Sequence, residues 1–173
     1  MNKYITTTFI SLAVLFNSCG SGESETDTAY KISSEDVTGT IDGQPSNDIN
    51  LWHGGGADGI DSEGKTLVFE GKGEVSIYLT HRSLQEIKDD ELGSIMFDKS
   101  ELVEEDDNSI LIKIEKTDMD DNFISGYIFF VVMPYENDLN VALEGQGEEM
   151  FAPIGDEASA RELLKIAKSF KKQ

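Results

Sequence analysis

The stretch SILIKIEKTDMDDNFISGYIFFVVM, residues 109–133, contains two apolar runs that are separated by an acidic segment. In the first run Ile110, Ile112 and Ile114 occupy alternate positions, so they share one face of an extended strand. The second run, from Phe123 to Met133, is the most apolar of the predicted strands and is typical of the interior of a sheet. Asp and Asn between the runs favour a tight turn. The stretch therefore predicts two adjacent strands joined by a turn.

Further strands are predicted on both sides of these two. Residues 66–70 (TLVFE) and 74–80 (EVSIYLT) flank a Gly-Lys-Gly turn, and Val75, Ile77 and Leu79 alternate on one face. Residues 139–145 (LNVALEG) form another strand. Residues 37–44 (VTGTIDGQ) contain an Asp-Gly pair that is typical of a hairpin turn, whereas the glycine-rich residues 52–64 predict little regular structure.

Two helices are predicted. Leu84, Ile87 and Leu92 lie at helical spacing in a polar segment that predicts a short helix over residues 83–91. The final segment begins with Asp156, a suitable N-cap, and its apolar stripe consists of Ala160, Leu163, Leu164, Ala167 and Phe170. Adjacent strands followed by a terminal helix predict an α+β fold, in which an antiparallel β-sheet of about five to seven strands is covered by a C-terminal α-helix.

The N-terminal residues are typical of an exported protein. A single lysine precedes an apolar run of about twelve residues, which is too short to span a bilayer. Residues 16–19 (FNSC) resemble a bacterial lipobox, although Phe16 and Asn17 differ from the usual leucine and small residue. This resemblance implies cleavage after Ser18 and lipidation of Cys19, which is the only cysteine in the chain. The alternative is a secreted protein in which Cys19 is incidental.

The predicted organisation has three parts. Residues 1–18 are a lipoprotein signal peptide, residues 19–29 are an acidic flexible tether, and residues 30–173 are a single globular α+β domain. The expected location is the cell envelope, with the lipid on Cys19 in the membrane, most simply the outer membrane. The periplasmic and surface faces of that membrane are both open.

The charge of the chain limits its partners. It contains 34 acidic and 14 basic side chains, for a formal net charge of −20 at pH 7. Such a field repels nucleic acid, and it attracts cations or a basic protein. The alternative is that the charge serves only solubility.

Two short segments are candidate binding sites. The acidic segment Glu104, Glu105, Asp106 and Asp107 is a candidate contact for a basic partner, and it is predicted to be a turn. Trp52 and His53 precede a run of glycines, and a loop over residues 54–64 is a candidate ligand site. The favoured alternative is that Trp52 anchors this loop in the core. His53 and His81 are interpreted as ordinary histidines rather than as zinc ligands.

The segment Asp118, Asp120 and Asn122 matches the first ligands of a calcium-binding loop. Phe123 stands where such a loop needs glycine, and Phe129 stands where it needs a bidentate glutamate. A full calcium loop is therefore not predicted. Weak calcium binding and a plain solvated turn remain the two interpretations, and no other cofactor is expected.

Catalytic motifs are absent from the sequence. It contains no nucleophile elbow, phosphate-binding loop or dinucleotide fingerprint, and carboxylates are too numerous for a catalytic pair to be selected. The prediction is that the protein is not an enzyme.

Two resemblances to known families accompany these residues. The run DMDDNFISGYIFF, residues 118–130, together with the glycine at position 43, resembles small Bacteroidota-type lipoproteins of uncharacterised function. The segment from Gly126 to Phe170, which ends in IAKSF, resembles the last third of the PsbP-like fold of photosystem II. The first resemblance implies a surface or periplasmic lipoprotein, and the second implies two antiparallel strands followed by a helix. Neither supplies catalytic residues.

Three functions compete at this point. The leading hypothesis is a non-catalytic binding module, such as an immunity or inhibitor lipoprotein for a basic partner. The second is a structural accessory lipoprotein of an envelope complex. The third is a small-ligand carrier or hydrolase that uses the loop of residues 54–64.

Overall fold

The computed structural model describes residues 29–53, 60–118, 121–148 and 152–173, which form two β-sheets and two α-helices. The larger sheet is antiparallel and has seven strands in the order β3-β4-β5-β9-β8-β7-β6; the smaller has the order β1-β2-β10. The elements are β1 (Ala29–Ser33), β2 (Thr38–Asp42), β3 (Asn47–His53), β4 (Ser62–Phe69), β5 (Gly73–Thr80), α1 (Leu84–Leu92), β6 (Lys99–Glu105), β7 (Ser109–Thr117), β8 (Phe123–Glu136), β9 (Leu139–Gln146), α2 (Glu157–Lys168) and β10 (Lys171–Lys172).

The two helices lie on opposite faces of the seven-stranded sheet. On one face α2 and the small sheet enclose the larger hydrophobic cluster, which includes Ile32, Leu67, Phe129 and Leu163. On the other face α1 covers β6, β7 and β8. We call these the α2 face and the α1 face. The α+β prediction, with an antiparallel sheet and a C-terminal helix packed on it, is confirmed.

Alternation along the strands divides the apolar residues between the two faces. Val75, Ile77 and Leu79 belong to the cluster on the α2 face, as the sequence predicted for one face of β5. Ile110 and Ile112, which also share a face as predicted, belong to the cluster on the α1 face. The successive residues of a strand point to opposite sides, so one sheet supplies both cores.

Strands β8 and β9 meet closely at the centre of the α2 face. Phe129 is fully buried opposite Gly145, where an added Cβ would lie 1.9 Å from the phenyl ring. Asn137 and Asp138 both adopt positive φ, which is the conformation of a two-residue hairpin turn with the twist of the strands.

The terminal helix forms as its sequence predicts. The carboxylate of Asp156 accepts the backbone N–H of Ser159, which caps the first turn. The residues Ala160, Leu163, Leu164 and Ala167 are buried, and Phe170 is buried just after the helix. Their spacing of three and four residues places them on one side of α2.

Several sequence predictions need correction in the N-terminal half. The turn after β1 lies at residues 34–37, and the Asp42-Gly43 pair instead connects β2 to β3 in the other sheet. Within the predicted irregular stretch 52–64, residues 52–53 end β3 and residues 62–64 begin β4, so strands extend into both of its ends; residues 54–59 lie outside the described residues. Strand β1 begins at Ala29, the last residue of the predicted tether.

A strand was also missed at the opposite edge of the sheet. Strand β6 has the sequence KSELVEE, in which exposed residues alternate with partly buried ones and only Leu102 and Val103 are apolar. Glu104 and Glu105 belong to this strand, so only the second half of the predicted acidic turn is a turn. Pairing with β7 fixes β6, and the apolar pattern alone does not reveal it.

Candidate functional site

A cleft of about 260 Å³ opens on the α1 face, between the sheet and the segment that joins α1 to β6. Its apolar walls are formed by Met96, Phe97, Ile114 and Ile128. Its polar groups are Glu91, Ser94, Lys116, Glu144 and Gln146. A concave site with apolar walls and a few converging polar groups is the usual form of a ligand-binding site. The volume is below that of sites for drug-sized ligands, so it suits a group of side-chain size.

The short helix α1 carries one of the two cleft glutamates. Ser83 and Glu86 form a capping box that fixes the start of the helix. Ile87 is buried against the sheet, and Glu91 follows it by four residues, so both lie on the same side of the helix. The packing of Ile87 therefore holds Glu91 over the sheet rather than toward solvent.

Strand β9 carries the other glutamate. Leu143 and Gly145 on either side of Glu144 are buried on the α2 face, so alternation directs Glu144 to the α1 face. The hydroxyl of Tyr78, on the neighbouring strand β5, donates a hydrogen bond of 3.0 Å to Glu144 Oε2. The sheet thus presents a positioned carboxyl group to the cleft.

Both glutamates have pKa values above the ordinary value of a glutamate side chain. Burial and the nearby charge of Glu144 raise the pKa of Glu91 to about 7, against the opposing effect of Arg82. Burial also raises the pKa of Glu144, although the Tyr78 hydroxyl and Arg82 act in the other direction. Near neutral pH the pair is therefore only partly ionised.

Arg82 favours the ionised forms of both glutamates, and its guanidinium also donates hydrogen bonds to helix α1. Its guanidinium donates to the carboxylate of Asp90 and, over 3.2 Å, to the carbonyl oxygen of Glu86. The raised pKa values of Glu91 and Glu144 show that Arg82 does not fully compensate their burial. Lys116 also lines the cleft, so with both glutamates ionised the side chains of the lining carry one net negative charge.

The predicted site residues Trp52 and His53 are consecutive in β3, so their side chains point to opposite faces of the sheet. Trp52 is 66% exposed, so the prediction that it anchors the loop in the core is wrong. The His53 ring stacks on Tyr78 at a centroid distance of 4.2 Å and so extends the polar part of the α1 face. On the intervening strand β4, a Cβ added to Gly64 would lie 1.8 Å from the carbonyl oxygen of Ile77, so glycine permits the close approach of β4 to β5 beside Tyr78. Residues 54–59 of the candidate loop lie outside the described residues.

The acidic segment 104–107 is engaged within the fold. Glu104 pairs with Arg161 and Asp106 with Lys168, both of α2, while Glu105 pairs with Lys88 of α1 over 2.7 Å. These pairs join β6 and the following turn to both helices. The structure thus uses three of the four predicted partner-binding acids internally.

The predicted calcium segment forms a turn stabilised by its own side chains. The Asp118 carboxylate accepts the backbone N–H and the side-chain amide of Asn122. Asp120 lies outside the described residues. Among the residues that the structure describes, no group of three His, Cys, Asp or Glu side chains could hold a metal ion. His81 is exposed after β5.

The predicted lipidation site Cys19 also lies outside the described residues. Within the described ranges, neither helix has the length and apolarity that crossing a bilayer requires. Comparison with protein-family models, with curated proteins and with solved structures finds no match to this chain.

Sequence reasoning missed the glutamate pair for identifiable reasons. The spacing of Ile87 and Glu91 gave a usable signal, since a glutamate one turn after a buried isoleucine lies at the edge of the packed face. The alternation around Glu144 gave a second signal. Their meeting depends on the position of α1 over β6, β7 and β8, which neither local pattern contains.

Proposed function

We propose that the protein is a lipid-anchored, non-catalytic binding module of the cell envelope, whose partner inserts a basic group into the cleft of the α1 face. In this proposal Cys19 carries the lipid, and the membrane is most simply the outer membrane. The runner-up is a structural accessory lipoprotein of an envelope complex, which would use the same surface for a permanent contact.

The main support for this proposal is that Glu91 and Glu144 line the same cleft, beside its apolar walls. A cation that enters between two carboxyl groups with raised pKa values lowers both pKa values and so favours the ionised forms. An ammonium or guanidinium group on an aliphatic stem suits this site, because its stem contacts Met96 and Phe97 while its charge meets the glutamates. Such groups are the side chains of a basic protein.

The charge of the whole chain supports the same choice of partner. A net charge of −20 steers a basic protein toward the surface and accelerates its association. The internal pairing of Glu104, Glu105 and Asp106 shifts the expected contact from that turn to the cleft. Steering acts over the whole surface, whereas the cleft supplies a specific contact.

Two small probes of similar shape, one cationic and one neutral, test the proposal. Nα-acetylarginine amide should shift the NMR amide signals of residues that line the cleft, and its neutral analogue Nα-acetylcitrulline amide should not. Glu144→Gln should weaken arginine-amide binding about tenfold or more, because a hydrogen bond to a charged group contributes about 1.5–3 kcal/mol.

The matched control is Glu35→Gln, an exposed site in the turn between β1 and β2 with the same change of charge. It should leave probe binding unchanged. Equal binding of the citrulline and arginine amides would contradict the proposal, because the site would then recognise shape alone. Equal effects of Glu144→Gln and Glu35→Gln would show that only the overall charge matters.

The anchor is tested separately. Growth with a clickable fatty-acid analogue should label the wild-type protein, and Cys19→Ser should remove both the label and the membrane association. An unlabelled wild-type protein would contradict the lipoprotein part of the proposal and leave the cleft experiment unaffected.

A hydrolase is the third candidate, and the two glutamates favour it. A glutamic acid that keeps its proton near neutral pH can act as a general acid, and Glu91, whose pKa is raised to about 7, lines the same cleft as Glu144. In that case Glu91 would donate the proton to the leaving group, and Glu91→Gln would abolish turnover of chromogenic glycosides. Turnover that is present and lost in this variant would replace the binding proposal with the enzymatic one.

A further inference from the structure

The two edges of the seven-stranded sheet differ in how they resist pairing with another strand. Strand β6 carries Lys99, Glu101 and Glu105, and its register with β7 shifts between Leu102 and Glu104. Charges and a bulge at an edge are common protections against strand addition. This edge of the sheet is therefore closed to a partner strand.

Strand β3, at the other edge, has none of these protections. Its sequence NDINLWH contains no proline, lysine or arginine, and it pairs with β4 in an unbroken register over all seven residues. Its one acidic residue, Asp48, accepts hydrogen bonds from Tyr30 and Lys65. Within the described ranges, β4 is the only strand that pairs with β3.

Exposed apolar side chains lie along this same edge. Ile49 is 52% exposed and Trp52 is 66% exposed. Their positions in the pleat place them on opposite faces of the sheet. A strand added beside β3 would cover both side chains while satisfying the outward backbone groups.

The acidic surroundings of Trp52 select the charge of the added strand. Glu63 lies directly opposite Trp52 in the β3–β4 pair, and its backbone N–H is held by the carboxylate of Asp36 at 2.7 Å. A basic residue beside Trp52 on an added strand would stack on the indole and lie about 10 Å, two strand spacings, from Glu63. A long basic side chain crosses that distance.

We infer that β3 is a strand-addition site for an extended segment of a basic partner, which places a basic residue beside Trp52 and an apolar residue beside Ile49. The inference rests on the proposed function only for the charge of the partner. The backbone of β3 supplies the hydrogen bonds, while Trp52 and Glu63 supply the preference for a basic side chain.

Trp52 is the only tryptophan in the chain, so its fluorescence reports this site directly. The probe is the acetylated and amidated peptide of four Arg-Val repeats, added to the chain without its signal peptide. We expect a saturable blue shift of the Trp52 emission as the peptide covers the indole. A peptide of the same sequence with N-methylated central amides keeps the charge and cannot pair, so it should bind at least tenfold more weakly.

Two variants separate edge pairing from charge. Ile49→Lys places an edge-protecting lysine on β3 and should weaken peptide binding at least tenfold. Val103→Lys makes the same change of charge on the exposed edge strand β6 and should leave binding unchanged. Both sites are exposed, so both variants should melt like the wild type.

The outcomes distinguish this inference from the cleft proposal. Glu144→Gln should leave the Trp52 shift intact, whereas it weakens binding of the arginine amide. Equal binding of the N-methylated peptide, equal effects of Ile49→Lys and Val103→Lys, or no blue shift at millimolar peptide would each overturn strand addition. A blue shift that depends on protein concentration without peptide would overturn the basic partner in favour of a second copy of the chain.

Discussion

The two faces of the seven-stranded sheet differ in how extensively their helices are packed and in the polarity of the residues that they bury. On the α2 face a twelve-residue helix buries four residues against a continuous apolar surface. On the α1 face a nine-residue helix buries only Ile87, and the cleft beside it contains two glutamates with raised pKa values. Helix α2 has a regular amphipathic pattern, whereas the α1 face combines apolar side chains with two glutamates. The proposed function thus assigns binding to the α1 face, opposite the more extensively packed α2 face.

This comparison shows how a small domain can tolerate a costly site. Burial of carboxyl groups lowers stability at neutral pH, because the folded state disfavours their charged form. The well-packed α2 face offsets that cost without sharing residues with the cleft. We therefore expect substitutions on the α2 face to change stability and substitutions in the cleft to change binding and the dependence on pH.

The largest expected effect concerns the α2 face. Leu163→Ala should lower the free energy of unfolding by about 2–5 kcal/mol, because Leu163 is fully buried and its removal leaves a cavity. Denaturant titration measures the loss. Lys165→Ala, on the exposed side of the same helix, is the control and should stay within about 0.5 kcal/mol of the wild type. Similar losses in both variants would mean that α2 does not form the main core.

The next prediction concerns the cleft, where Glu91 should make the stability of the protein depend on pH. The pKa of Glu91 is raised from 4.5 to about 7, so the folded state binds the proton more tightly than the unfolded chain between these values. The stability contributed by that proton is present below pH 4.5 and is lost as pH rises through about 7. Glu91→Gln should therefore stabilise the protein at pH 8 by about 1–3 kcal/mol and have little effect at pH 4.

Thermal unfolding of Glu91→Gln at a series of pH values measures this difference. Glu101→Gln, on the exposed β6 edge, provides a control with the same change of charge. A constant difference between Glu91→Gln and the wild type across the series would show that Glu91 has an ordinary pKa and that the cleft is well solvated.

A smaller effect is expected at the turn that connects both helices to β6. Burial opposes ionisation of Asp106, but hydrogen bonds from Lys168, from the Asn108 backbone and from Ser109 lower its pKa to about 2. The stability that the ionised Asp106 contributes is present above pH 3.8 and is lost as pH falls toward 2. Because the pair is largely exposed, Asp106→Asn should cost only about 1 kcal/mol at pH 7.

The neighbouring residue Asp107 supplies the comparison for this turn. Asp107→Asn removes the same charge from an exposed position and should change the melting temperature less than Asp106→Asn at pH 7. Chemical denaturation at pH 7 and at pH 2.5 tests both variants. A cost of Asp106→Asn that is equal at the two values would argue that the lowered pKa is absent.

The smallest expected effect is that of calcium. Asp118 already accepts hydrogen bonds from Asn122, so an ion would compete with bonds within the turn. Millimolar calcium should still raise the melting temperature slightly more than sodium chloride of equal ionic strength, by mass action on the folded state. The stabilisation should stay below about 1 kcal/mol, as binding near its dissociation constant gives. Equal shifts would indicate screening alone.

The sequence predicts the α2 face well because local patterns carry it. The spacing of Leu163, Leu164 and Ala167 identifies both the helix and the side that it buries. The alternation in β5 likewise identifies which residues enter the core. Where local propensity, apolar spacing and burial agree, the element can be predicted without its neighbours.

Elsewhere the structure depends on tertiary contacts that a local pattern does not contain. Strand β6 is held as an edge by β7 and by ion pairs, so its charged sequence gives no apolar signal. The exposed Trp52 was predicted to lie in the core because aromatic residues usually do, whereas the open edge of β3 leaves it at the surface. The cleft requires the placement of α1 over the sheet.

The pairing of β10 with β2 has a consequence for how the chain reaches its folded form. Lys171 lies opposite Thr40, so the third strand of the small sheet comes from a segment 131 residues further along the sequence (171 − 40). Contacts between such distant segments close late, because the loop entropy must be overcome first. Until β10 pairs with β2, the small sheet has only two strands. The α2 face is therefore completed only after α2, which immediately precedes β10, has docked on the large sheet.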